Sequence, residues 1–183
     1  MPRPAFRSSL ACGLLSLTLA AYAARAHAAE TPDPATAASK ATATTLREVG
    51  TALYHWAASE RGTAPEAELK PQGEVNTETD SNTVRWSRCP MASYDEVRQL
   101  LVPKYLAELP RTDAWGHPLE ICVDRANVKT HAHYVLGVRS AGADGRFDGE
   151  EYAVGEFDRA DANHDLVWLD GYFMAWPMGK QAK

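Results

Sequence analysis

Apolar and polar positions alternate along this chain with two different periods. Leu46, Val49, Leu53 and Trp56 recur at the spacing of one helix face, so a helix is predicted from about Ala43 to Arg61, with Gly62 as its stop. From Thr63 to Asn82 the pattern is polar and broken by Pro65, Pro71 and Gly73, which reads as a loop. Val84-Arg85-Trp86 is a short strand or edge. Ser93-Tyr94-Asp95-Glu96 has the capping-box form, and Val97, Leu100 and Leu101 give the helix that follows its apolar face. Pro103 ends or bends that helix.

Period two takes over in the C-terminal half. Leu119–Val123 and Tyr134–Arg139 read as strands, as do Val167–Leu169 and Tyr172–Trp176. The last two are separated by Asp170-Gly171, the sequence signature of a two-residue type I′ hairpin. Two helices followed by a strand meander predict an α+β domain, with a long N-terminal helix packed on a small antiparallel sheet.

The first 28 residues stand apart from this pattern. Arg3 and Arg7 precede an apolar run from Leu10 to Ala24, and Ala26-His27-Ala28 is a small-x-small site. This is the form of a secretory signal peptide cut after Ala28, which places the mature protein in the periplasm or outside the cell. A flexible lead over 29–42, a globular domain over 43–177 and a frayed tail over 178–183 complete the expected organisation. Cleavage removes three arginines and no acid, leaving 16 basic and 24 acidic residues and a net charge of −8. Such a chain lacks the basic patch that nucleic acid requires, and after cleavage it keeps no spanning segment. Cations or basic protein surfaces suit it better. Cys89 and Cys122 remain. An oxidising compartment favours one disulfide between them, worth about 3–4 kcal/mol by chain entropy, over two buried thiols.

Candidate chemistry concentrates between the last strands. Asp144, Asp148, Glu150, Glu151, Glu156, Asp158, Asp161, Asp165 and Asp170 lie in one Gly-rich stretch opposed locally only by Arg146 and Arg159. Two readings stand: a solvated acidic loop, or oxygen ligands gathered by a hard cation such as Ca²⁺. Asp161-x-Asn163-x-Asp165 opens like an EF-hand, but Leu166 takes the glycine position and Tyr172 the bidentate glutamate position, so that motif is rejected. Asp144, Asp148 and Asp165 are the leading ligands of a looser site. Paired carboxylates also suit glycoside hydrolysis, with Trp115, Trp168 or Trp176 as sugar platforms, but no cleft-forming segment accompanies them. The same tryptophans and acids give an alternative reading as an envelope glycan- or peptide-binding module. His131-x-His133 could hold Zn²⁺ or Cu²⁺ but has no third ligand at a clear spacing. No nucleophile elbow, phosphate loop, dinucleotide fingerprint or CxxC is present.

Leu46–Leu53, Leu109–Pro118, Ser140–Gly145 and the acid-plus-aliphatic step Asp165-Leu166-Val167 together resemble segments of the major pseudopilin of type II secretion systems. Leu46–Leu53 is similar to the end of its long helix. Leu109–Pro118, ending in Trp115-Gly116-His117-Pro118, resembles its WG-x-P turn, and Ser140–Gly145 its S-x-G-x-DG turn. The resemblance implies a pilin-like fold with calcium-pinned loops, no enzymatic activity, and partners in the secretion machinery or envelope. It implies the carbonyl of Ala141 and the carboxylates of Asp144 and Asp165 as ligands, with a group near Asp148. Arg146 replaces a further polar ligand, a place that Asp158 or Asp161 could take. The family's G-F-x-L-x-E processing site and retained apolar helix are missing, which implies a detached, exported version of the domain.

Overall fold

The computed structural model describes residues 34–63, 83–130, 135–157 and 161–177. They all belong to one compact unit, Pro32–Lys183. The signal peptide, the start of the lead, His131, His133, Asp158 and the tail lie outside the described residues.

Helix α1 spans Pro34–Thr63. It begins well before the expected Ala43 and takes in most of the stretch read as a flexible lead. The reason is local: Pro34 suits the first helical position, and Ala35, Ala37, Ala38 and Ala41 are the best helix formers available. The added turns are packed. Ser39 and Thr42 are fully buried, and Thr42 Oγ1 accepts the Ala114 N–H at 3.1 Å. The face predicted from Leu46, Val49, Leu53 and Trp56 is buried throughout.

β1 (Thr83–Arg85) leads into a 3-10 turn, Trp86–Arg88, and then to α2 (Tyr94–Leu101). Ser93 caps α2 as its sequence predicts: Ser93 Oγ accepts the Glu96 N–H, and the Glu96 carboxylate accepts the Ser93 N–H at 2.8 Å. The remaining strands are β2 (Glu120–Val123), β3 (Leu136–Ser140), β4 (Glu151–Ala153), β5 (Gly155–Phe157), β6 (Leu166–Leu169) and β7 (Tyr172–Pro177). β4 and β5 fall inside the stretch read as an acidic loop.

Five strands form one sheet in the order β2-β3-β6-β7-β5, and β1 pairs with β4 in a separate ribbon. The pairings β2/β3, β3/β6 and β6/β7 are antiparallel. β5 runs parallel to β7, so the expected antiparallel sheet is a mixed one. Between β6 and β7, Asp170 and Gly171 have φ of 45° and 113°, the double positive that a type I′ turn demands. The outer edge of β2 is taken by the segment Pro90–Ala92: Ala92 donates to Ile121 O and Val123 donates to Pro90 O. Beside it, Cys89 and Cys122 form the disulfide, with Cα atoms 5.5 Å apart.

Period-two alternation gives the sheet two dry faces. Ile121, Val138 and Trp168 face one another across three strands and join the core under α1. On the opposite side Cys122, Val167, Leu169 and Met174 meet Trp86 and Tyr152 from the ribbon and its turn. Burial on both faces explains why β6 is apolar at every position. Each face carries a tryptophan seated over a glycine. A Cβ added to Gly50 of α1 would collide with the indole of Trp168, and one at Gly137 would come within 2.8 Å of the Trp86 ring. Among the described residues no helix is long and apolar enough to cross a membrane.

The Gly50–Trp168 contact decides the sign of one substitution. Alanine raises helix propensity by about 1 kcal/mol, but overpacking a filled interface costs about 1–3 kcal/mol. Gly50→Ala is therefore expected to lower stability in urea unfolding, and Trp168→Leu in the same chain to recover part of the loss.

Candidate functional site

The two turns singled out in the sequence dock on one another. Asp113 is buried, and its Oδ1 accepts the N–H groups of Trp115 and His117, both at 2.9 Å. Its Oδ2 accepts the Ser140 hydroxyl at 2.7 Å, where β3 ends. Beyond Ser140 the chain turns through Gly142 and Gly145, with φ of 66° and 69°. A side chain at Gly142 would strike the carbonyl oxygens of Ala162 and Asn163, and one at Gly145 the ring of His117. Ala143 donates to Ala162 O at 2.8 Å, and His117 Nε2 lies 3.2 Å from Ala143 O. The turn after β3 is thus held between the 113–117 turn and the 161–165 segment.

Below it lies a polar chain built on Arg139. This guanidinium is almost fully buried, 4% exposed. Nε and Nη2 donate to Glu120 Oε2 at 2.9 and 2.7 Å, and Nη2 also reaches Glu150 Oε1 at 3.1 Å. Nη1 donates to the Gly149 carbonyl at 3.1 Å and to Tyr152 Oη at 2.8 Å. Its planar faces meet the rings of Phe147, at 3.9 Å to the centroid, and Trp86, at 4.7 Å. Tyr152 Oη in turn lies 2.6 Å from Asp165 Oδ2, which also accepts the Asp148 N–H at 3.0 Å. Burial, then the nearby Asp165 carboxylate, pushes the Tyr152 phenol well above its usual range.

Asp165 is the least ordinary acid in the stretch. It is 2% exposed, and burial pushes its carboxyl from 3.8 up to about 6, against the opposing hydrogen bonds from Tyr152 and the Asp148 amide. Its Oδ1 is buried and has no hydrogen-bond partner among the described residues. A buried carboxylate oxygen without a hydrogen-bond donor costs stability.

The other described acids of the stretch are exposed, Asp170 being half-buried, and nearly all are met by donors. Asp148 Oδ2 lies 3.0 Å from His164 Nδ1, and Asp161 Oδ2 lies 3.3 Å from His164 Nε2. The hydrogen bond to Asp148 is the main cause that raises the His164 pKa. Asp144 Oδ1 accepts the Arg146 N–H, Glu151 pairs with Arg85, and Glu156 accepts the Trp176 Nε1–H at 3.1 Å. Asp170 Oδ1 accepts the N–H groups of Val135 and Leu136. The count of opposing charge taken within the stretch therefore missed its real partners: Arg85, Arg139 and His164, with main-chain amides.

Of the expected metal ligands, Ala141 and Asp165 are buried, while Asp144, Asp148 and Asp161 are exposed. Among the described residues no group of three or more His, Cys, Asp or Glu side chains converges as a metal cluster. Trp168 is buried against α1 and cannot serve as a sugar platform, and Trp115 packs against the same core. Three surface cavities of about 340, 410 and 310 Å³ lie elsewhere, and Asp165 lines none of these three. The Arg139–Tyr152–Asp165 chain was not anticipated. Arg139 was read only as a strand residue, and a basic residue in an otherwise apolar strand was the available signal. Compared with protein-family models, curated proteins and solved structures, the chain matches none.

Two consequences can be measured. Arg139→Met leaves Glu120 and Tyr152 without their donor and is expected to cost about 3 kcal/mol, the lower end for a broken buried pair because Glu150 and Glu120 reach solvent. Arg139→Lys keeps the charge but loses the planar fork, and recovers only part of that stability. The second concerns pH. A carboxyl raised above its unfolded value contributes most below the unfolded pKa, and that contribution is lost as pH rises through the folded one. In metal-free buffer the melting temperature of the protein, measured against that of Asp165→Asn, should therefore fall between pH 4 and pH 6 and then level off.

Proposed function

We propose that this chain is an exported, non-enzymatic, pseudopilin-like domain, a structural or accessory component linked to type II secretion or the cell envelope, whose acidic turns take up a calcium ion beside Asp165. The observation that carries the calcium part is the buried Asp165 Oδ1 with no hydrogen-bond partner among the described residues. The coarse architecture, a long helix laid on a sheet whose C-terminal turns gather at one place, is compatible with the resemblance in the sequence. So is the direct hydrogen bond between Ser140 and Asp113, which joins the two turns that carry it.

The donor chemistry fits a hard cation. Every candidate ligand is an oxygen: the Asp165 carboxylate, with Asp148, Asp144 and Asp161 near it in sequence and the Ala141 carbonyl as the resemblance implies. Because acid side chains alone do not converge among the described residues, calcium would complete its six to eight oxygens with main-chain carbonyls and water. What the ion supplies is charge neutralisation. The chain itself supplies rigidity: Asp113, Ser140 and the Ala143–Ala162 hydrogen bond fix the turns.

Binding of this kind appears as folding stability, about 2.7 kcal/mol when free calcium is a hundredfold above Kd. Chelation should lower the melting temperature, and calcium should restore it more fully than magnesium. Asp165→Asn, which keeps an acceptor for Tyr152 and the Asp148 amide, should fold and lose the calcium response. A wild-type protein that melts identically with chelator and with calcium removes the metal from this reading.

A further inference from the structure

A second site lies away from the acidic turns, in the groove between the first half of α1 and β7. It is a cavity of about 340 Å³. Phe173 and Trp176 give it two aromatic side walls, and Lys40 and Arg47 stand on the helix side. The two cations are seven residues apart, two turns of one helix, or about 10 Å along its axis. Both are exposed. Arg47 lies over the Phe173 ring at 5.3 Å, and neither cation pairs with a carboxylate among the described residues.

That arrangement is unexpected in so acidic a chain. Most of the C-terminal acids find donors, yet these two cations face a concave aromatic surface instead. The indole of Trp176 is held in place by its Nε1–H bond to Glu156. Thr36 and Thr44 add hydroxyls to the lining. Thr44 Oγ1 gives its proton to the Lys40 carbonyl at 3.0 Å, so its free lone pairs can accept from a ligand hydroxyl.

We propose that this groove binds an acidic sugar, a uronic acid residue of an extracellular or envelope polysaccharide. The aromatic rings take the apolar face of the pyranose. Arg47 and Lys40 together take its carboxylate through charge-assisted hydrogen bonds, and the threonines meet its hydroxyls. The volume sits at the low end for small-molecule pockets, which suits one or two sugar rings and is short for a helix or strand of a protein partner. The cations select for acid over neutral sugar. The proposal does not rest on the calcium reading, since none of the residues involved is a candidate metal ligand.

Calorimetric titration of the full mature protein at low salt tests it, with trigalacturonate, the neutral galactose trimer and a glutamate-rich peptide as three separate ligands. The uronic trimer should bind at least about tenfold more tightly than either of the others. Arg47→Gln and Lys40→Gln should each weaken it about tenfold, the scale of one lost hydrogen bond to a charged group, with an unchanged melting temperature. Trp176→Leu should abolish the quenching of tryptophan fluorescence that accompanies binding. No binding of the uronic trimer, unchanged affinity in Arg47→Gln, or tighter binding of the peptide would each overturn the proposal.

Discussion

The C-terminal half of the molecule depends on one buried guanidinium. A run of carboxylates this dense repels itself, and the fold answers with a cation from the neighbouring strand. Arg139 leaves β3 toward the side of the sheet away from α1, lies against Trp86 and Phe147, and divides its donors among Glu120 on β2, the Gly149 carbonyl, Glu150 just before β4, and Tyr152 within it. A lysine could not do this. Its charge is a point with no flat faces to lie between rings, and it lacks the fixed fork that serves several acceptors at once. Burying the charge is unfavourable in itself. It is tolerated because all three nitrogens donate, in five hydrogen bonds, and two acids share the charge.

From there the polar chain continues through Tyr152 to Asp165, and so reaches the start of β6. The far end differs in kind from the near end. At Arg139 every nitrogen has an acceptor; at Asp165 one oxygen has no donor among the described residues. Among the described residues the protein's own donors thus order most of the acidic stretch and leave the buried Asp165 Oδ1 without one. Any role for a divalent ion is correspondingly local. It would finish a site that side chains and amides have already shaped, and it need not gather the whole stretch.

How much of this was legible in the sequence follows from the range of each interaction. The capping box at Ser93–Glu96 and the type I′ turn at Asp170-Gly171 are fixed by neighbours within three residues, and both could be read directly. The helix face through Leu46 and Trp56 was equally plain, but its first turns were not. An Ala- and Thr-rich stretch carries no apolar period, and the burial of Ser39 and Thr42 depends on residues far along the chain. β5 has three residues, no alternation and a parallel partner, so nothing local marks it. The charge balance was misjudged for the same reason, since Arg139 and Arg85 come from outside the stretch they neutralise. Of the candidate site, the meeting of the turns at Asp113 and Ser140 joins residues 27 apart in the chain, and no local pattern marks it. The solitary oxygen of Asp165 is a property of packing that no spacing encodes.

The segment Pro90–Ala92 has a consequence for how the molecule can associate. It lies along the outer side of β2, using main-chain groups that a sheet margin would otherwise offer to a stranger, and Cys89 is covalently fastened to that strand. An incoming chain seeking to extend the sheet there would have to evict a tethered occupant. Self-assembly by strand addition is closed on that flank, and a companion that pairs with the sheet would have to do so at the opposite margin, along β5.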